Sequence, residues 1–285
     1  MMKKERKYKY KRLVAAMTVF AGVAILFMVL DYYGSNDSPP VYPDYEKIGL
    51  EEVINLTRVY EGKIDEKTEK ILFLQTGLGM EGVESVRNQC SSKMEFCDEL
   101  KQYQKQLFEG VGEKQVVDLE TGDVLVSMSQ RLCFYPHGHA AIVIDGEENR
   151  ILEARSYRVG SCECKLSKWS KLSSFVVLRV KEEVIRDLMI DGYENPANKA
   201  ADYAAQNLSG LKYSLLKDIR PLNESVPEYT QCAHLVWYAY FSAGLDIDEN
   251  RGLIVKPKDF LESDVLEIVQ VFGMKPDKLL QMHNE

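Results

Sequence analysis

The chain has 285 residues, 45% of them hydrophobic and 28% charged, a balance that excludes a disordered or collagen-like protein. Its formal charge of −8 conceals a split, because the first twelve residues hold seven bases and one acid and the other 273 therefore sum to −14. An acidic body of this kind is a poor match for a nucleic-acid binder, whose surface must neutralise phosphate, and the length exceeds what a bare disulfide scaffold needs.

After the basic segment 1–12 comes Leu13 to Leu30, LVAAMTVFAGVAILFMVL, an uncharged apolar run. At about 1.5 Å per residue a helix of this length reaches roughly 27 Å, close to the hydrocarbon thickness of a bilayer. Bases precede it and Asp31 follows it, so the positive-inside rule expects a single-pass anchor in the cell membrane. The N-terminus is then cytoplasmic and the body extracytoplasmic. A cleaved secretory signal is the competing reading, against which stands the lack of a small-x-small site beyond Leu30. Residues 31–48 then read as a linker, since GSNDSPPVYP suits neither helix nor strand.

From 49 to 110 the pattern is helical and reads as an accessory layer. Val53, Ile54 and Leu56 mark one helix within Leu50 to Val59, and Ile71, Leu72 and Leu74 mark a second ending near Thr76-Gly77. Met94, Phe96, Leu100, Tyr103 and Leu107 mark a longer one. The rhythm changes beyond Gln115. Short β-rich runs are expected at 116–117, 124–126, 140–144, 151–152, 175–180 and 265–271, with helices over 198–208 and 232–243. Strands followed by packed helices make residues 111–285 an α+β domain.

Three residue types in this domain suggest chemistry. Cys232 opens the last helix, with Thr230 as the expected N-cap, and the helix terminus favours a thiolate there. A buried, inert cysteine is the plain alternative. His139 begins an apolar strand after Pro136-His137-Gly138, a rigid yet reachable place for a general base; His137 is the second candidate. Glu153 lies on the next strand, and antiparallel pairing through the turn at 146–149 would bring its carboxylate alongside His139.

Four segments in order resemble a known group: Gly122-Asp123-Val124-Leu125, His137-Gly138-His139-Ala140-Ala141-Ile142-Val143, Ile151-Leu152-Glu153-Ala154, and Gln231-Cys232-Ala233-His234-Leu235-Val236-Trp237-Tyr238-Ala239-Tyr240. Together they resemble the circularly permuted NlpC/P60 proteins, and within them the YiiX/YebB-like cysteine hydrolases. The tail Lys256-Pro257-Lys258-Asp259-Phe260 and the upstream Gln75-Thr76-Gly77-Leu78-Gly79 are also similar to segments of that group. The likeness covers roughly Val116 to Phe272.

The resemblance implies a permuted papain-like fold in which the histidine strand precedes the nucleophile helix. It implies Cys232 as nucleophile, His139 as base and Glu153 as the polar third member, with no cofactor and no metal. Tyr213 resembles a tyrosine bordering the substrate pocket, and His137 and Gln231 are further candidates for substrate contact. The implied activity is hydrolysis of an amide by a peptidase or amidase. Peptides of peptidoglycan are the implied substrates and the membrane a partner through the N-terminal helix. A lipid acyltransferase or thioesterase of the same fold and a catalytically inactive peptide-binding domain are the alternatives.

One departure from the group is Ala233-His234, where relatives carry Ser-Glu after the cysteine. Two positions along a helix from Cys232, His234 points some 200° away and is expected to pack or face solvent. A rival class is a zinc site built from Cys162, Cys164, His137 and His139, but the paired Cys-x-x-Cys spacing is missing. Cys90 and Cys97 would bridge only if 88–92 were a loop, and Cys133 has no evident partner.

Overall fold

The computed structural model describes residues 48–109, 116–128, 131–132, 135–172, 174–190, 195–215, 217 and 226–276, with 11, 14, 17–23 and 26 near the N-terminus. Contacts divide the chain into two units, Met1–Val41 and Tyr42–Glu285. In the first, residues 17–23 are helical and exposed. Among the described residues no helix is long and apolar enough to cross a membrane. Most of the span expected over 13–30, like the linker, lies outside the described residues.

The second unit is α+β. Five helices open it: α1 (Leu50–Val53), α2 (Leu56–Tyr60), α3 (Glu66–Thr76), α4 (Met80–Gln89) and α5 (Lys93–Glu109). The single helix expected over 50–59 is two. Ile54 is extended, and the Asn55 side chain accepts from the Arg58 N–H to start a new helix. Leu50, Leu72, Leu74, Phe96 and Leu100 join one apolar cluster with the sheet. A buried glutamine relay ties them in: Gln75 donates to the Met274 carbonyl, Gln104 donates to Gln75, and the Leu50 N–H donates to Gln104.

The main sheet has six strands: β1 (Val124–Ser127), β4 (His139–Asp145), β5 (Arg150–Ser156), β6 (Gly160–Lys165), β7 (Phe175–Val180) and β10 (Leu266–Phe272). Their order is β10-β7-β1-β4-β5-β6, and every neighbouring pair is antiparallel. The hairpin β2 (Arg131–Leu132) and β3 (Tyr135–Pro136) rises between β1 and β4. Then come α6 (Glu182–Ile190), α7 (Pro196–Asn207), the short parallel pair β8 (Lys212–Tyr213) and β9 (Tyr229–Thr230), and α8 (Cys232–Ser242).

Alternation along the strands separates two cores. Val124, Val126, Ala140, Ile142 and Leu152 pack with α7 and α8, while Leu125, Ala141, Val143 and Ile151 pack with Trp169 and Phe272. Every side chain of α8 from Cys232 to Tyr240 is buried. A helix apolar all round belongs inside the fold. Tyr240 hydroxyl donates to the Gly122 carbonyl, pinning that helix to the start of β1.

Two expectations for strands differ from the structure. Residues 116–117 form no strand; the Val117 N–H goes to the Gln270 side chain instead of to a ladder. Strand β6 was not anticipated, because Gly-Ser-Cys-Glu-Cys-Lys carries no β-branched residue and owes its extension to pairing with β5.

Candidate active site

The site forms where the N-terminus of α8 meets the first residues of β4. Gly138 takes φ +72°, and a Cβ there would sit 3.0 Å from the Ser127 carbonyl oxygen and 3.1 Å from Pro257 Cβ. Only glycine admits that turn, and it delivers His139 into β4 opposite Ser127. On α8 the N-cap is Gln231, not Thr230 as the sequence suggests. Gln231 Oε1 accepts from the Ala233 N–H at 2.9 Å, and its Nε2 donates to the Val255 carbonyl at 2.8 Å. The Thr230 hydroxyl is instead 3.1 Å from His234 Nδ1.

Cys232 lies close enough to His139 for each to shift the other's titration, and its Sγ donates to Gln231 Oε1 at 3.5 Å. His139 Nε2 lies 2.8 Å from Glu153 Oε2. The antiparallel register sets Glu153 opposite Ala141, one pair along from the histidine and on its face of the sheet. The three residues nominated from sequence therefore stand in one line: sulfur, imidazole, carboxylate.

Glu153 is held from three more directions. Trp169 Nε1 donates to Oε2 at 3.1 Å and Cys164 Sγ donates to Oε1 at 3.1 Å. Arg155 Nε forms an ion pair with Oε1 at 3.2 Å. The Trp169 ring also stacks on the His139 ring, with centroids 5.3 Å apart and planes 19° apart. Sequence reasoning missed Trp169, Cys164 as a donor, and Arg155. The only signal for Trp169 was that the chain has just two tryptophans.

The electrostatics follow from these partners. Burial opposes protonation of His139, but Cys232 and Glu153 outweigh burial and raise it to about 9. Burial likewise opposes the Glu153 charge, yet His139, Cys164 and Trp169 hold it down at about 2. Burial pushes the Cys232 thiol up, while His139 and the backbone N–H groups of Ala140 and Ala233 pull it below its ordinary value. Burial and the Glu153 charge push Cys164 up, so it stays a thiol and a donor. The arrangement favours a thiolate–imidazolium pair backed by a carboxylate.

Cys232 is 4% and His139 8% exposed, so both are largely covered. Tyr213 is half-buried, feels the Cys232 charge, and meets Tyr157 edge-on with centroids 5.1 Å apart. His137 is half-buried just ahead of the Gly138 turn. Gln231 makes its contacts within the protein, as a cap. His234 is buried against Trp237 and Tyr238, so of packing and facing solvent it packs. Cavities of about 350 and 400 Å³ lie elsewhere, one bordered by Asp123 and Arg179 and the other by Asn198 and Tyr203.

Among the described residues no group of three or more His, Cys, Asp or Glu side chains is placed to hold a metal ion. Cys90, Cys97, Cys162, Cys164 and Cys232 are all free thiols. Cys133 lies outside the described residues. The chain matches no family model, no curated protein and no solved structure.

Proposed function

We propose that this chain is a cysteine hydrolase of the permuted papain-like NlpC/P60 kind, nearest in motif to the YiiX/YebB-like group, cleaving an amide bond. The observation that carries the reading is the line from Cys232 through His139 to Glu153, with the thiol drawn down and the imidazole raised. An inert core cysteine has no need of a charged partner. The apolar run at 13–30 would anchor the domain outside the cell membrane, where peptides of peptidoglycan are the substrates the motif likeness favours.

In this reading the Cys232 thiolate attacks the carbonyl carbon, a C–S bond forms, and the carbonyl electron pair moves onto oxygen. Backbone N–H groups at the start of α8, that of Cys232 among them, meet the oxyanion. Imidazolium His139 gives its proton to the nitrogen as the C–N bond breaks and the amine leaves. Water, deprotonated by His139, then attacks the thioester carbonyl, the C–S bond breaks, the carboxylic acid leaves, and the thiolate–imidazolium pair is restored. Glu153 keeps the imidazole oriented and stabilises its charge throughout.

Iodoacetamide labelling mapped by mass spectrometry tests the reading. Cys232 should react fastest of the six cysteines near neutral pH, and His139→Ala should slow it. Equal reactivity across all six would end the enzymatic account. Incubating the protein with peptidoglycan peptides and, separately, with acyl-lipids then asks which leaves an acyl adduct on Cys232, separating the amidase from the lipid acyltransferase.

A further inference from the structure

Arg155 pairs with Glu153 from the solvent side of the site. Arg155 lies on β5 two residues beyond Glu153, where the pairing with β6 shifts register between Ala154 and Ser156. Its side chain is 42% exposed, against 5% for Glu153 and 10% for His139, so it is the member of the group that meets solvent. Nε lies 3.2 Å from Glu153 Oε1. Among the described residues the two terminal nitrogens make no hydrogen bond, which leaves the outer edge of the guanidinium fork open.

Glu153 does not require this arginine, since three hydrogen bonds already satisfy it. A guanidinium fixed at one nitrogen and open at the other two is preorganised for bidentate capture of a carboxylate. Its surroundings suit a ligand. The hairpin between β5 and β6 carries Tyr157, 72% exposed and set edge-on against Tyr213, beside exposed Arg158.

That hairpin is clamped to the cysteine side of the site. A Cβ on Gly160, at φ +71°, would fall 2.2 Å from the Leu211 carbonyl oxygen, so the two backbones touch. Ser161 donates to the Leu211 carbonyl through its N–H and to the Leu208 carbonyl through Oγ, and its Oγ accepts from the Leu211 N–H. Tyr213 lies two residues on, paired with Thr230 ahead of Cys232. In a body of net charge −14, a local cation at the mouth decides whether an anion approaches.

We propose that Arg155 is a specificity-determining residue that binds a carboxylate of the substrate, so that the site takes acidic amides. This rests on the cysteine-hydrolase reading above. The test compares two small alkylating reagents on the full chain, iodoacetate with its carboxylate and neutral iodoacetamide. In both, the Cys232 thiolate displaces iodide as the C–S bond forms and the C–I bond breaks, so their rate ratio cancels any change in thiolate population.

Arg155→Gln should lower the iodoacetate-to-iodoacetamide ratio about fivefold or more, the size expected for one partly solvated charge near the reagent. Arg155→Lys, which keeps the charge, should restore most of it. Arg150→Gln, at the far end of β5 where Arg150 pairs with Glu163, should leave the ratio unchanged. An unchanged ratio in Arg155→Gln, or an equal fall in Arg150→Gln, overturns the assignment while leaving the thiolate intact. Inertness of Cys232 to both reagents overturns the hydrolase reading and this one with it.

Discussion

His139 and Glu153 are diagonal neighbours: the register sets Ala141 opposite Glu153, yet Nε2 and Oε2 are 2.8 Å apart. The carboxylate leans one pair along the sheet toward its open end. The imidazole is thereby held at the last rung of the ladder, beside Cys232 of α8. The offset lets a buried acid pair with a histidine at the end of the sheet.

Replacing the acid with its amide should expose what the charge does. In Glu153→Gln the hydrogen-bonded shape remains but the imidazolium loses its counter-charge, so His139 should titrate well below 9. Turnover should fall roughly a hundredfold or more, as when a triad carboxylate is neutralised. The upper limb of the pH–rate profile should move to lower pH. Histidine titration by NMR and the profile itself check both; an upper limb still near 9 would remove Glu153 from the line.

Acid stability should carry the same signature. Glu153 ionises near 2 in the fold, below the ordinary carboxylate value of 4.5. A depressed folded value gives stability that is fully present above 4.5 and is lost as pH falls toward 2. The loss attributable to this group is roughly 2 to 3 kcal/mol. Urea titrations between pH 5 and 2.5 should show the wild type weakening more steeply than Glu153→Gln.

Trp169 joins two functions that separate variants can divide. Trp169→Phe keeps a ring over His139 but removes the N–H that Glu153 receives, at a cost of about 1 to 2 kcal/mol. Trp169→Ala also empties a nearly closed site, 3% exposed, and should cost about 3 to 5 kcal/mol. If the phenylalanine variant matches wild type in both thermal unfolding and alkylation rate, the indole N–H has no role in holding Glu153.

Gly160→Ala should damage the hairpin beside the site. The added Cβ would fall 2.2 Å from the Leu211 carbonyl oxygen, on a residue at φ +71°. The left-handed conformation alone costs about 1 to 2 kcal/mol, and the clash adds to it. Unfolding should come at lower denaturant, and the Tyr157–Tyr213 contact should loosen, readable as faster iodination of Tyr157. A variant as stable as wild type would contradict the clamp.

The chemistry was legible because it sits on strong local signals. Cys232 begins an apolar helix, His139 follows a glycine into an apolar strand, and Glu153 lies one short turn away. The holders of Glu153 were not. Trp169 lies in a 3₁₀ turn, Leu166–Lys171, whose sequence has no periodicity, and Cys164 lies in a strand without β propensity. Arg155 reads as an ordinary solvent charge until its ion pair with Glu153 places it. The helix cap was misassigned because threonine at 230 has the stronger preference; the Val255 carbonyl, 24 residues away, favours Gln231.

By itself the sequence determined the α+β character of residues 111–285 and the order of histidine strand before cysteine helix, which depend on periodicity, turn residues and spacing, all local. The resemblance is what nominated Cys232, His139 and Glu153 for the site. The tertiary structure decided that the leading helices share the sheet's core, that a tryptophan, a second thiol and an arginine converge on Glu153, and which way its carboxylate leans. Those outcomes depend on contacts between residues far apart in the chain, and strand register and close packing, which no local pattern encodes, set their distances.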